Sequence, residues 1–340
     1  MKRTLCVAGV LAVCLLAPLT GSAAGPQDVT CTTSFSGTAR DLTVPANAAC
    51  TVTGATITHD LILVDNSSAT VSGTGVGHDV SFGDESGADI ADTTVGHDLV
   101  AAGTDSGAGL TNTTIVHDLV ASGDNSGFDT EGVSVGHDFV ASGEESGADL
   151  GGTTIGHDVE LLGEAGDIHM ERTTIGHDFF ASEPQTVQTG HNGPDTPGGP
   201  VQVVGSFTIQ GSPGPDFQFV FDGICDLHVG SDLTITDRSV TLGIGLGKSC
   251  AARGEGINTI GRDLVFTNDH ALSGFFGPSA LQVDGNQVGR DLLVTGNTAV
   301  PGGFLDVSGN TAARDATCNG NTPAATVNTP NSAGRSNTCV

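Results

Sequence analysis

The chain of 340 residues contains no tryptophan and no tyrosine. It therefore lacks the aromatic platforms on which carbohydrate sites usually stack sugar rings. Basic residues are also scarce, with 11 Lys and Arg against 39 Asp and Glu and a formal net charge of −28 at pH 7. Nucleic acids, anionic lipids and polyuronates depend on a basic footprint, so the composition argues against all three as partners.

The acidic excess is uneven, because residues 25–200 hold 27 acidic and two basic residues whereas residues 201–340 hold 12 and seven. Helical patterns are missing too. No 3.6-residue apolar period survives over a repeat unit, and glycine occupies 51 positions. These features exclude a helical core.

The sequence has one long apolar run, from Leu5 to Leu19, which follows two basic residues and precedes the small residues 22–24. This arrangement predicts a secretory signal peptide over residues 1–24. A retained membrane anchor is the weaker alternative, because Pro18 interrupts the run and the run is short for a span. We expect a secreted, extracellular protein without a membrane span.

A pentapeptide of Ile or Val, usually Gly, His, Asp and an apolar residue recurs through the N-terminal half. Its aspartates are 19 or 20 residues apart and are Asp60, Asp79, Asp98, Asp118, Asp138, Asp158 and Asp178. Such a period is typical of stacked repeats, and the alternation of apolar residues around the corner is typical of strands. A turn of about 20 residues at about 3.3 Å each has a perimeter of about 66 Å, enough for three short strands. We predict an all-β fold, a parallel β-solenoid with an expected right-handed coil.

The corner motif extends beyond the histidine block. Further copies contain Asp41, Asp232, Asp263, Asp291 and Asp315, and the residue after the aspartate is apolar in all twelve copies. We expect that apolar column to face the core.

The repeat divides the mature chain into four segments. Regular rungs are predicted for residues 25–182, a Pro- and Gly-rich loop for 183–200, an irregular continuation of the solenoid for 201–318, and a disulfide-tethered tail for 319–340. The spacing leaves open whether the two halves form one coil.

Six cysteines remain after the signal peptide, an even number that predicts disulfides in an exported protein. Distant rungs of a solenoid cannot touch, so we expect pairs that are close in sequence: Cys31 with Cys50, Cys225 with Cys250, and Cys318 with Cys339. The first and last pairs would close the ends of the coil. No Cys-x-x-Cys spacing suggests a zinc site.

The C-terminal part carries Val-Gly-Arg-Asp-Leu-Leu-Val-Thr-Gly-Asn-Thr at residues 288–298, then Cys318-Asn-Gly-Asn-Thr-Pro and the final Cys339. Over residues 225–340 it resembles a group of secreted actinobacterial repeat proteins of uncharacterised function. Those proteins usually have Gly-Gly-Asn-Leu at the corner, from which the Gly-His-Asp block departs. The resemblance implies secretion and a β-solenoid, and it implies no chemistry.

Equivalent residues on adjacent rungs lie about 4.8 Å apart, so sequence columns become ladders. One ladder joins the corner aspartates to the preceding histidines: His59, His78, His97, His117, His137, His157 and His177. Both residue types ligate transition metals, which favours a row of metal sites. Alternatively, the aspartate caps backbone amides and the cation offsets repulsion between carboxylates. Arginine, which does not ligate metals, replaces histidine in four other copies, and this favours the structural interpretation.

Two further carboxylate columns have no cationic partner. The first is predicted to contain Asp84, Asp105, Asp124, Glu144 and Glu164, and the second Asp89, Asp129 and Asp149. Oxygen-rich turns suit Ca²⁺, which would be the cofactor of these columns. A solvated acidic face is the simpler interpretation.

An enzyme site should interrupt the repeat. Two interruptions are predicted, the 183–200 loop with His191 and Asp195, and residues 169–172. Neither places a nucleophile beside a base, so His191 and Asp195 are catalytic candidates only for a carbohydrate-active enzyme.

We expect a non-enzymatic structural or surface protein whose partner would be a cell-wall or other extracellular polymer. The alternatives are a carbohydrate-active or carbohydrate-binding β-helix and a calcium-binding extracellular repeat protein.

Overall fold

The computed structural model describes residues 25–163, 166–190, 199–212, 221–247, 257–274 and 277–340. These residues form a parallel β-solenoid without a helix, as predicted. Its rungs contribute strands to three long sheets, here called A, B and C, of 15, 13 and 14 strands. The predicted signal peptide and Glu164, His191, Asp195 and Cys250 lie outside the described residues.

The strands of sheet A are Val29–Thr30, Leu42–Val44, Leu61–Leu63, Val80–Phe82, Leu99–Ala101, Leu119–Ala121, Phe139–Ala141, Val159–Leu161, Phe179–Ser182, Phe207–Gln210, Leu233–Thr236, Leu264–Thr267, Leu292–Thr295, Asp315–Asn319 and Ser336–Asn337. Those of sheet B are Ser34–Phe35, Ala49–Thr53, Ser68–Ser72, Gly87–Ala91, Gly107–Thr111, Gly127–Glu131, Gly147–Gly151, Asp167–Glu171, Thr186–Thr189, Phe221–Ile224, Gly243–Gly247, Ala280–Asp284 and Phe304–Ser308. Those of sheet C are Thr38–Ala39, Thr56–Ile57, Gly75–Val76, Thr94–Val95, Thr114–Ile115, Ser134–Val135, Thr154–Ile155, Thr174–Ile175, Val201–Val203, Leu227–Val229, Thr259–Ile260, Gln287–Val288, Thr311–Ala312 and Ser332–Ala333. Two small sheets comprise Ser239–Val240, His270–Ala271 and Thr298–Ala299, and the antiparallel pair Ser273–Gly274 and Gly277–Pro278.

The core is built from the alternation that the sequence shows. In the three-residue strands of sheet A, such as Leu99–Ala101, the first and third residues are buried and the middle one is half-buried. The apolar residue that follows the corner aspartate is buried in all twelve copies, from Leu42 to Ala316. Removing this column from water on every rung supplies the main driving force for stacking.

The coil continues across the predicted 183–200 loop. Phe179 pairs with Phe207 in sheet A, and their rings stack with centroids 4.1 Å apart. Residues 186–189, inside the predicted loop, form a strand of sheet B in which Val187 is buried. The two halves therefore share the same three sheets.

Two segments that the sequence marks as irregular belong to regular rungs. Residues 169–172 do not interrupt the repeat, because Met170 is buried in a regular strand and pairs with Leu150. The tail is a final rung, since Ser332–Ala333 and Ser336–Asn337 extend sheets C and A. One corner was missed at residues 205–206, where a serine replaces the aspartate.

Disulfides close both ends of the coil. Cys31 is bonded to Cys50, with Cα atoms 5.8 Å apart, and Cys318 to Cys339, with Cα atoms 4.9 Å apart. These are pairings that the spacing predicted. Cys225 is buried and disulfide-bonded. The part of the chain that the structure describes contains no helix with the length and hydropathy needed to cross a bilayer.

Candidate functional site

The most regular side-chain array on the surface is the His–Asp ladder, defined as the seven stacked histidines and the corner aspartates from Asp41 to Asp178. Consecutive imidazole rings lie 4.8 to 5.1 Å apart between centroids and 3 to 8° from parallel. The parallel pairing of sheet A sets this spacing, because each histidine lies two residues before a paired strand such as Val80–Phe82. The ladder is a direct consequence of the 19- to 20-residue period.

Each ladder histidine places Nδ1 between two carboxylates. Nδ1 lies 2.8 to 3.1 Å from Oδ1 of the aspartate on the preceding rung. It also lies 2.9 to 3.4 Å from Oδ2 of the aspartate that follows it in sequence. Since carboxylates only accept, Nδ1 carries the proton and donates it, and the lone pair of the neutral ring is on Nε2.

The aspartates also hold the backbone of adjacent rungs together. Oδ1 of each ladder aspartate from Asp41 to Asp158 accepts the backbone N–H of the aspartate one rung later, at 2.8 to 3.2 Å. We expected a cap within the local turn, whereas the amide belongs to the next rung. One carboxylate thus links two rungs through an amide and a histidine.

The charges in the ladder stabilise each other. The hydrogen bond to Asp98 raises the pKa of His117, and the hydrogen bond to Asp158 raises that of His177. Burial opposes ionisation of Asp158, yet the hydrogen bonds from the Asp178 amide and from His177 lower its pKa. At His117 and His177 the ladder therefore favours imidazolium beside carboxylate.

Arginine takes the structural place of histidine outside the block. Arg290 Nε donates to Asp263 Oδ1 at 2.8 Å, as His59 Nδ1 does to Asp41 Oδ1 at 2.9 Å, and Arg290 Nη2 contacts Asp263 Oδ2. Between the histidine and arginine blocks the ladder is interrupted, and Ser206 donates its amide to Asp178 Oδ1 without supplying a carboxylate. The fold accepts either cation at the corner.

The first acidic column was assigned in the wrong register. Thr104, not Asp105, follows Asp84 in the ladder, because the Thr104 N–H donates to Asp84 Oδ1 at 2.9 Å. Asp105 lies in the neighbouring column and accepts a hydrogen bond from Asn125. The turn before Gly107 has one residue more than the turn before Gly87, which shifts the count. Asp124 accepts the Glu144 N–H at 3.2 Å, so this column also links rungs through carboxylate-to-amide bonds.

The second acidic column has the predicted register. Asp89, Asp129 and Asp149 are exposed and aligned on sheet B, with Gly109 between the first two. Neighbouring atoms still desolvate the Asp149 carboxyl in part, which raises its pKa, and the charge of Asp129 adds to this effect while His169 opposes it.

A groove of about 960 Å³ runs along the same face of sheet B. Its lining includes Thr51, Thr70, Glu85, Asp89, Asn125 and Asp129. The glycines at the starts of strands such as Gly107–Thr111 and Gly127–Glu131 form part of its floor. Those recurring glycines were the sequence signal for this groove, which sequence reasoning did not use.

A second feature missed from the sequence is a buried ion pair. Arg238 donates from Nε and Nη2 to both oxygens of Asp222, at 2.8 and 2.9 Å, and both side chains are fully buried. Its Nη1 donates to the carbonyls of Pro184 and Gly211. Apart from Asp222, the described contacts of the Arg238 guanidinium are with backbone carbonyls, which indicates a structural role.

Within the described residues, the clusters of potential metal ligands include consecutive His–Asp–His groups of the ladder, beginning with His59, Asp60 and His78. In each group one atom from every residue lies within 4.8 Å of the others. Comparison with protein-family models, with curated proteins and with solved structures finds no match.

Proposed function

We propose that the protein is an exported, non-enzymatic structural repeat protein that serves as a stiff rod outside the cytoplasm. The resemblance of its C-terminal motifs to secreted actinobacterial repeat proteins supports export. A cell-wall or other extracellular polymer is the proposed partner class.

The observation that carries this proposal is the unbroken register of sheet A over 15 strands. At about 4.8 Å per rung, its 14 spacings give a rod about 67 Å long. The end disulfides protect the two open sheet edges and fit an oxidising compartment. Among the residues described, Arg238 and Asp222 are the only fully buried charge pair. Arg238 also donates to a backbone carbonyl, so this pair supports the fold and offers no catalytic site.

The test combines secretion, shape and turnover. The full chain expressed in a secreting host should appear in the medium with its N-terminus near residue 25, as read by mass spectrometry. Small-angle scattering should give an elongated particle about 70 Å long. A panel of polysaccharides assayed for reducing ends should show no turnover. Turnover abolished by His191→Ala or Asp195→Ala, or retention in the cytoplasm, would contradict the proposal.

A second candidate, binding of a carbohydrate polymer, is favoured by the groove on sheet B. Its hydroxyl, amide and carboxylate groups recur along successive rungs and can hydrogen-bond to sugar hydroxyls. Affinity electrophoresis in neutral polysaccharides should then show retardation that Asp89→Asn with Asp129→Asn reduces, whereas Asp237→Asn, on an exposed residue elsewhere, does not. Equal mobility of all three proteins with and without polysaccharide would remove this candidate.

A further inference from the structure

We propose that the His–Asp ladder binds divalent transition-metal ions such as Zn²⁺, through histidine Nδ1 and one oxygen of each flanking aspartate. This goes beyond the structural role, because it adds a ligand to a surface that the fold alone would explain. The donor set at each rung is one imidazole nitrogen and two carboxylate oxygens, which suits zinc and its neighbours.

The distances between the donor atoms already match those around a small cation. His78 Nδ1 lies 3.1 Å from Asp60 Oδ1 and 3.1 Å from Asp79 Oδ2. Ligands about 2.0 to 2.2 Å from a metal ion are separated by about 2.8 to 3.6 Å at octahedral or tetrahedral angles. The ion would replace the Nδ1 proton and lie between Nδ1 and the two carboxylate oxygens, with only small movements of the side chains.

The proton displaced from Nδ1 has a place to go. In a neutral histidine it is transferred through solvent to Nε2, which has no hydrogen-bond partner among the described residues. The ladder histidine side chains are 45 to 55% exposed, so water reaches the ring. An imidazolium instead releases one proton to solvent on metal binding. Water would complete the coordination.

The shared carboxylates make neighbouring sites interdependent. Asp60, for example, offers Oδ2 to the His59 site and Oδ1 to the His78 site. Two dications one rung apart would repel, although the carboxylate between them offsets part of this repulsion. We therefore expect about three or four ions per chain before adjacent rungs fill.

Arginine shows that the fold does not require histidine. Arg40 and Arg290 donate to the same carboxylate column, with a permanent charge and a second donor group. Seven consecutive histidines add what arginine lacks, a nitrogen lone pair that can ligate a metal. The segregation of histidine into one uninterrupted block favours a function that needs adjacent rungs to share ligands.

The experiment uses the full chain, stripped with chelator and equilibrated with ZnCl₂ by dialysis. Zinc should bind at about three or four ions per chain, and X-ray absorption should show a mixed shell of one imidazole with oxygen ligands. The triple variant His97→Arg, His117→Arg, His137→Arg leaves two separated pairs of histidines, so it should bind only about two zinc ions per chain while keeping its circular dichroism. The matched control is His228→Gln, a histidine outside the ladder, which should bind as much zinc as the unmodified chain.

A single change separates this site from simple surface binding. Asp118→Asn keeps an oxygen for the Asp138 amide, yet it removes the carboxylate shared by His117 and His137. It should lower the zinc affinity of the sites at His117 and His137 at least tenfold. Undiminished zinc binding by the triple arginine variant, or a shell of imidazoles alone, would overturn the proposal.

Discussion

Replacing Asp269 by asparagine should make the protein more stable at neutral pH. Asp269 is fully buried, and its Oδ1 accepts the Arg238 N–H at 2.9 Å. Its Oδ2 is buried without a hydrogen-bond partner. The next rungs have asparagine at this position, and there Nδ2 donates to a carbonyl, from Asn297 to Phe266 at 3.0 Å and from Asn321 to Val294 at 2.9 Å. An asparagine at 269 would extend this ladder by one rung.

The magnitude follows from the protonation state. Burial raises the pKa of Asp269 well above its ordinary value, the charge of Asp222 adds to this, and the hydrogen bond from Arg238 opposes it. The folded chain therefore keeps a proton that the unfolded chain loses, so stability falls as pH rises above the unfolded pKa. The loss is at most about 1.4 kcal/mol per pH unit. A buried oxygen without a partner costs about 1 to 3 kcal/mol. Asparagine removes both this cost and the pH-dependent loss, so we expect Asp269→Asn to gain at least about 1 kcal/mol at pH 7.

The assay is urea unfolding of the oxidised protein between pH 4 and pH 8. The advantage of Asp269→Asn should be smallest near pH 4, where about half of the unfolded aspartate side chains are also protonated, and should grow with pH. Asp237→Asn, on the exposed neighbouring aspartate, is the control for the loss of one negative charge. Parallel stability curves for Asp269→Asn and the unmodified chain, or a less stable variant at pH 7, would refute the reasoning.

Three further predictions concern the ladders. His117→Arg should change the unfolding free energy by less than about 0.5 kcal/mol, whereas Asp118→Ala should lose at least about 1 kcal/mol, because only the second change leaves a neighbouring amide without its acceptor; equal losses in chelator-treated protein would contradict this. If the acidic columns bind calcium, the midpoint temperature of thermal unfolding should be higher in calcium than in sodium at equal ionic strength, and the double variant Asp124→Asn, Glu144→Gln should remove the difference. Superimposable unfolding curves in the two salts would leave only a solvated acidic face. Asn310→Leu should cost at least about 2 kcal/mol in urea unfolding, because the buried Asn310 accepts an amide and donates to the Val283 carbonyl; a neutral result would show that this ladder is dispensable.

The predictable part of the fold is the part in which one residue type repeats for one physical reason. The apolar column from Leu42 to Ala316 was readable because every rung must bury the same corner. The pairing of Cys31 with Cys50 was readable because a solenoid brings together only neighbouring rungs. Period and topology together determined both results.

The errors arose where the turn, not the strand, changed. One extra residue before Gly107 moved Asp105 out of the Asp84 column, although the strands on both sides kept their register. The corner at Ser206 was missed because serine there only donates its amide to Asp178 and supplies no carboxylate to count. When residues are aligned by counting from a single motif, an extra residue in a turn goes unnoticed if the strands on both sides keep their register.

The buried ion pair of Arg238 and Asp222 could not be predicted from the sequence, for a different reason. Arg238 is 16 residues from Asp222, and the carbonyls that it binds, those of Pro184 and Gly211, belong to other rungs. Nothing in the local pattern distinguishes it from an exposed arginine. Only the stacking of irregular rungs brings these groups together, so their role follows from tertiary structure.

The same carboxylate column gives the two halves of the rod different chemistry. In the C-terminal half Arg290 keeps its charge at every physiological pH, so the corner there responds to neither protons nor metals. In residues 25–200, where 27 acidic and two basic residues give a net charge of −25, protonation of the seven ladder histidines would reduce this to −18. The pKa of His117 and of His177 is raised by the hydrogen bond to an aspartate, so these two residues gain their protons at a higher pH than an unperturbed histidine. If the ladder binds metal ions as proposed, protons and metal ions compete for the same Nδ1 atoms, and both act on the half of the chain with the larger self-repulsion.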